Sequence, residues 1–117
     1  MSQSLTSSHF PYVPLHLEMG HRDADVEALL DTGFDGDVAL PAGLTTDGEP
    51  ADGYLPWTLA DGSEVSAPAY DARVQIGELP PLPAVVIVLG DEPLVGRGVS
   101  DRFRIILEHG QRLIVEP

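Results

Sequence analysis

Short runs of alternating apolar and polar residues, each soon cut off by glycine, proline or aspartate, hold this 117-residue chain to β-structure. Val13, Leu15, Leu17 and Met19 are apolar while His16 and Glu18 are polar, the pattern of a half-buried strand. Tyr70, Ala72, Val74 and Ile76 alternate in the same way with Asp71, Arg73 and Gln75. Ala84 to Leu89 is wholly apolar and reads as a central strand. Val26 to Leu30 and Val38 to Leu40 read as further short strands, the second stopped by Pro41. Asp61-Gly62, set between Tyr54–Ala60 and Ser63–Ser66, is a strong hairpin signal, and His109-Gly110 closes a second hairpin between Arg104–Glu108 and Gln111–Glu116. Gly20 to Asp25 is expected to be a turn, residues 42–53 a loop, and Gly77 to Pro83 a proline-rich connection. Val99 to Phe103 has room for one or two helical turns, and no segment of helical period is long enough for a bundle. The class that follows is all-β, a small barrel or sandwich of short strands. Residues 1–10 are polar and read as a flexible N-terminal tail, with one domain over residues 11–117.

Charge and composition remove several functions. The formal net charge is −13, and all six basic residues are arginines. Such a surface repels nucleic acid and anionic membranes, so neither is expected as a partner. The longest apolar stretch, Ala84 to Leu89, is far too short to span a bilayer. No basic or apolar leader is visible in Met1-Ser2-Gln3-Ser4-Leu5, which makes the cytoplasm the expected location. The absence of cysteine excludes disulfides and thiolate metal sites. His9, His16, His21 and His109 lack paired metal-ligand spacing, and no phosphate loop is present, so no metal or cofactor is expected.

The segment that carries chemistry is Leu29-Leu30-Asp31-Thr32-Gly33-Phe34, followed by Asp35-Gly36-Asp37. It sets an acid at the end of a buried strand, with a hydroxyl and a glycine directly after it. No second Asp-Thr-Gly or Asp-Ser-Gly occurs, and Asp61-Gly62-Ser63 has the wrong order. Taken alone, the triplet also fits a turn, because aspartate is common after strands.

Three segments in order narrow the reading. The first is Asp31-Thr32-Gly33-Phe34 running on to Leu40-Pro41; the second is the hairpin Leu59-Ala60-Asp61-Gly62-Ser63 followed by Tyr70; the third is Leu94-Val95-Gly96-Arg97 leading into a short helix. This set, over roughly residues 12–116, resembles the retropepsin-like single-domain aspartic proteases of clan AA, and within them the bacterial and archaeal branch. One departure is Gly98-Val99-Ser100, poor helix formers where that family begins its helix with a polar residue and two leucines.

The resemblance implies a small closed barrel-like acid-protease fold with one short C-terminal helix. It implies a homodimer that hydrolyses peptide bonds of a peptide or protein substrate without metal or organic cofactor. Two Asp31 side chains, one per protomer, would meet on a two-fold axis, because this chemistry needs two carboxylates sharing a proton. Thr32 and Gly33 would complete the catalytic loop. Phe34, Asp35, Gly36, Val38, Leu94 and Val95 would line the substrate groove, with Asp61 and Gly62 closing over it from the hairpin tip. Asp35 and Arg97 would form an ion pair beside the loop. The plainer roles are ordinary core for Phe34, Val38, Leu94 and Val95, a surface turn for Asp61 and Gly62, and solvated charges for Asp35 and Arg97. Trp57 could serve as a flap anchor, an interface residue or core, with core or interface read first. The C-terminal strand Arg112 to Glu116, taken as an unpaired apolar edge, is expected to supply part of the interface. The rival class is a catalytically silent dimerisation or peptide-binding module on the same fold.

Overall fold

The chain's computed structural model describes residues 4–20, 22–44 and 50–117. His21 and residues 45–49 of the expected 42–53 loop therefore lie outside the described residues, while Ala42–Leu44 forms a short 3-10 turn and Gly53 already begins a strand. In chain order the strands are β1 (Leu5–Ser7), β2 (Tyr12–Met19), β3 (Arg22–Leu30), β4 (Val38–Leu40), β5 (Gly53–Thr58), β6 (Glu64–Gln75), β7 (Leu82–Val88), β8 (Leu94–Val95), β9 (Arg104–Glu108) and β10 (Arg112–Glu116). The one α-helix among the described residues, α1, spans Arg97–Ser100.

Six strands close into a barrel. Their order is β2-β3-β8-β4-β7-β6, and β6 pairs back onto β2 through His16↔Gln75 to Met19↔Ala72. Closure leaves no free edge in the ring, which removes the commonest route to unwanted strand pairing. β5 hangs on β6 as a two-stranded flap, in register from Gly53↔Ala69 to Thr58↔Glu64. The remaining strands form a separate three-stranded sheet of order β1-β10-β9.

The alternation read in the sequence is the burial observed. Val13, Leu15, Leu17 and Met19 are buried on one face of β2 while its other face is partly exposed. They meet Val38, Leu40, Val74, Val86, Val95, Val99, Leu113 and Val115 in the main core. Each such side chain removed from water stabilises by roughly 1.5–3 kcal/mol. β4 is buried on both faces: Val38 and Leu40 point into the main core, and Ala39 into a smaller cluster with Phe34, Ala67, Ala69 and Ile87. That second cluster lies under the flap and holds up the site.

Four expectations are corrected. Residues 1–10 are not all tail: Leu5–Ser7 pairs antiparallel with Leu113–Val115, because alternate residues there, Leu5 and Ser7, tuck against the barrel. The turn at Gly20–Asp25 is shorter, since Arg22–Asp25 continues β3 opposite His16–Met19 and cross-strand pairing outweighs the low strand propensity of aspartate. The helix begins at Arg97 rather than Val99 and is only four residues long. β10 is not an edge: β1 covers one side and β9 the other, so the free edges of this sheet are β1 and β9.

Candidate active site

Asp31 follows the last residue of β3, where parallel pairing of Leu29 with Leu94 and Leu30 with Val95 delivers it beside Gly96. Its backbone N–H donates to the Val95 carbonyl at 3.0 Å, and its own carbonyl accepts from Phe34 N–H at 3.2 Å. The side chain is fixed as well: Oδ1 accepts from the Gly33 N–H at 2.9 Å. A Cβ on Gly33 would stand 3.3 Å from that oxygen, so any larger residue there crowds the carboxylate. The carboxyl is half-buried, and Thr32 and Gly33 are exposed beside it.

The loop is then bolted to the segment before α1. Gly96 N–H donates to Asp37 O at 2.9 Å, Arg97 N–H to Phe34 O at 2.8 Å and Gly98 N–H to Gly36 O at 3.0 Å. This close approach explains the local glycines. A Cβ on Gly96 would collide with the Gly36 and Phe34 carbonyls, and one on Gly98 with the Asp37 carboxylate. Gly98, a departure from good helix sequence, is thus required by the loop it touches. Asp37 is the residue that sequence reasoning missed: its Oδ2 accepts from Val85 N–H at 2.8 Å, tying the loop to β7. An aspartate directly before the apolar strand β4 gives no local signal of a bond made 48 residues away.

A cleft of about 390 Å³ opens beside the loop, lined by Gly33, Phe34, Asp35, Pro56, Trp57, Thr58 and Arg97. Trp57 of β5 packs edge-on against the Phe34 ring, with centroids 5.3 Å apart. Gly36 lies under this pair, where a Cβ would fall 2.6 Å from the Phe34 ring and 3.0 Å from the indole. Trp57 is therefore the flap's anchor on the loop. The flap tip is rigidified locally, since Asp61 Oδ1 accepts from both Ser63 N–H at 2.9 Å and Ser63 Oγ–H at 2.5 Å. Those bonds hold the Asp61 carboxyl below its usual range.

The structure sorts the expected site residues. Asp31, Thr32, Gly33, Phe34 and Asp35 come together as one loop, and Arg97 joins them across the cleft. Val38 and Val95 do not line a groove; both are fully buried in the main core, because β4 and β8 pair inside the barrel wall. Leu94 is half-buried against the Phe34 cluster. Gly36 acts through its carbonyl and its missing side chain. Asp61 and Gly62 are exposed at the hairpin tip, outside the lining of the cleft. Asp35 and Arg97 share the cleft, but no ion pair joins them among the described residues.

Of the described histidines, two lie among acids away from this loop. His9 bonds Glu27 through Nδ1 at 2.8 Å. His16 Nδ1 bonds Asp25 Oδ1 at 2.8 Å, while its Nε2 faces Glu18 and Asp23 at 4.0 and 3.8 Å. Direct cross-strand register, His16↔Asp25 and Glu18↔Asp23, makes this cluster, which linear spacing does not show. The bond to Asp25 is the largest influence and raises the His16 pKa; burial, next in size, opposes it, and the charges of Asp25, Asp23 and Glu18 add to the rise.

The sequence matches no protein-family model and no curated protein. Among solved structures the chain is similar to a retropepsin-like aspartic protease from Rickettsia conorii, at 18% identity and a TM-score of 0.60, over 99% of this chain and 92% of that one. With the closed six-stranded barrel, the flap and the short helix in place, the fold is retropepsin-like and all-β.

Proposed function

We propose that the chain is an aspartic peptidase that works as a homodimer, with one Asp31 from each protomer forming the catalytic pair. The observation that carries this reading is the Asp31 loop itself. It ends a buried strand, its carboxylate is aimed by the Gly33 N–H, and it is bonded along its length to Val95–Gly98 on a retropepsin-like barrel. A loop braced in this way holds a carboxylate in one orientation, as general acid–base chemistry requires.

Two such carboxylates a few ångströms apart cannot both ionise, so the pair retains one proton. The ionised member takes a proton from a water bound between them. The protonated member donates to the substrate carbonyl as the water attacks, and the charge that develops on that oxygen is neutralised. Gly33 leaves the approach to the carboxylates open, and Thr32, exposed beside them, is placed to bond across to the second loop. Phe34, Trp57, Asp35 and Arg97 shape the ground on which an extended peptide lies, and the β5–β6 hairpin covers it. The cytoplasm is the proposed setting, which cell fractionation would check.

The experiment is cleavage of an unfolded protein mixture by the purified chain on the acid side of neutral, with product ends read by mass spectrometry. Discrete internal cuts, blocked by a statine-type peptide that mimics the tetrahedral intermediate, are expected. Cleavage indifferent to that inhibitor but abolished by a chelator would overturn the reading.

A further inference from the structure

We propose that the outer face of the β2–β3 hairpin binds one divalent transition cation of the zinc type, ligated by His16 Nε2, Glu18 and Asp23, with Asp25 fixing the imidazole from behind. The site is independent of the peptidase reading, since none of these residues lines the cleft beside Asp31. Asp25 stands six residues before Asp31 along β3, roughly 20 Å at the rise of a strand.

The expectation of no metal site rested on spacing along the chain, and the fold supplies the pairing across strands instead. Alternation on β2 turns Leu15, Leu17 and Met19 into the core and leaves His16 and Glu18 on the outer face. Antiparallel register then sets Asp25 opposite His16 and Asp23 opposite Glu18. One imidazole and three carboxylates thus occupy four neighbouring positions of one surface. Among the described residues this is the one place where three such groups, His16, Glu18 and Asp23, bring a ligand atom each within 4.8 Å of one another.

What separates this cluster from an ordinary acidic patch is the orientation of the ring. An ionised carboxylate only accepts, so the 2.8 Å contact between His16 Nδ1 and Asp25 Oδ1 places a proton on Nδ1. Nε2 is then the nitrogen with a lone pair to offer, and it faces Asp23 Oδ2 at 3.8 Å and Glu18 Oε1 at 4.0 Å. Both contacts are too long for hydrogen bonds and short enough for ligands that converge on one ion. A carboxylate behind the ring is also what orients a metal-bound histidine and raises its basicity. Bonds of about 2.0–2.2 Å to a shared ion set the ligand atoms roughly 3–3.5 Å apart, so the two carboxylates close by roughly an ångström. The Glu18 and Asp23 side chains are 54% and 68% exposed, which leaves them free to do so. Imidazole with carboxylates suits zinc and its first-row neighbours, whereas calcium and magnesium favour oxygen ligands alone. The surrounding charge attracts a cation, because Glu27 adds a fourth acid on β3. From β6 the groups facing the site are Gln75, opposite His16, and Arg73, opposite Glu18, and no ion pair joins Arg73 to Glu18. His16 and Asp25 also border an open hollow of about 420 Å³, so an ion reaches the ring from solvent.

The test is calorimetric titration of zinc chloride into the chelator-washed chain, with magnesium chloride as the control. One zinc per chain is expected, with a rise in the thermal midpoint, and no response to magnesium. His16→Gln and Asp23→Asn are each expected to weaken binding at least tenfold. His9→Gln, whose ring bonds Glu27 outside the cluster, is expected to leave binding unchanged. Asp25→Asn tests the positioning role and is expected to cost about 10–100-fold in affinity. Heteronuclear NMR of the His16 ring in the zinc-loaded parent chain is expected to show metal on Nε2 and a proton on Nδ1. Metal on Nδ1, no uptake of zinc, or uptake undiminished in His16→Gln overturns the site; without it His16 is an imidazolium neutralised by its acids. Peptide cleavage by His16→Gln is expected to match that of the parent chain. A chain that binds zinc in this way but cleaves no peptide keeps the site and overturns the peptidase reading alone.

Discussion

Gly98 stands where any side chain would strike the Asp37 carboxylate, and Asp37 in turn holds the N–H of Val85 at 2.8 Å. A helix position has therefore been given over to bracing the loop. Gly98→Ala removes a poor helix former, which by propensity alone stabilises by roughly 0.8–1 kcal/mol. The collision is with a carboxylate fixed by a hydrogen bond, so the strain outweighs that gain. We expect a net destabilisation of about 1–3 kcal/mol, the usual cost of overpacking. Urea unfolding followed by far-UV circular dichroism measures it, and a more stable variant would contradict the bracing role.

Asp31→Asn should abolish peptide cleavage while the fold persists. An asparagine Oδ1 still accepts the Gly33 N–H that Asp31 accepts at 2.9 Å, so the loop keeps its shape. What is lost is the base, and the rate is expected to fall by at least about 10²–10⁴-fold. Turnover of a fluorogenic peptide, alongside the thermal midpoint, reads both quantities. Activity near that of the parent chain would remove Asp31 from the mechanism.

Activity should peak below neutral pH and fall as the pair loses its last proton, since two like charges then face each other across the axis. At neutral pH two copies of a chain with a net charge of −13 also repel, and salt screens that repulsion. Raising ionic strength is therefore expected to tighten the dimer at neutral pH more than under acid conditions. Sedimentation at two salt concentrations across the pH range would show it. Activity that climbs steadily into alkaline conditions would argue for another chemistry.

His16 gives a second, independent pH dependence. Its folded pKa is raised by Asp25 above all, with Asp23 and Glu18 adding to the effect. A raised pKa means that its contribution to stability is fully present below the unfolded value of about 6.5 and is lost as pH rises through the folded value. The chain is thus expected to lose a small increment of stability as pH rises past about 6.5, and His16→Gln to lose that dependence. Denaturation midpoints across this range for the two proteins make the comparison; identical pH curves would dismiss the His16 cluster as a source.

Trp57, the chain's single tryptophan, is expected to report on the cleft because it packs on Phe34 at 5.3 Å. A peptide inhibitor entering between flap and loop should shift its emission in proportion to occupancy. Trp57→Ala removes an aromatic pair with a contribution of about 0.5–1.5 kcal/mol beyond its buried area, and should raise KM more than it lowers kcat. An emission spectrum unchanged at saturating inhibitor would place the ligand elsewhere.

What the sequence made legible was whatever local pattern determines. The alternation from Val13 to Met19 gave the inward face of β2, and Asp61-Gly62 gave the flap turn, because both depend on neighbours in the chain. β6 was legible only in two pieces. Ala67, Pro68 and Ala69 separate them in the sequence, yet the strand runs unbroken, since β5 pairs straight across them with Tyr54 opposite Pro68, while β7 pairing starts at Ala69 and makes no demand on Pro68. Distant partners were hidden. Nothing around Leu5–Ser7 announces a strand that finds Leu113–Val115, and nothing around Asp37 announces Val85. In the site, the triplet and Gly96-Arg97 were readable as motifs. The separation of cleft from core, which removes Val38 and Val95 from the substrate's reach, depended on the barrel's closure.

That same pairing of Leu5–Ser7 with Leu113–Val115 sets a timetable for synthesis. The strand that leaves the ribosome early has no neighbour in its sheet until Arg112–Glu116 has been translated, because β10 is its only partner there. The barrel's first hairpin, Tyr12–Met19 with Arg22–Leu30, can form as soon as it emerges. The three-stranded sheet cannot. A nascent chain is therefore unable to complete this sheet until Arg112–Glu116 has been made, which leaves it among the last parts of the fold to form. Ribosome-bound chains truncated before residue 112 should accordingly leave Leu5–Ser7 without its β10 pairing, read as fast amide exchange there.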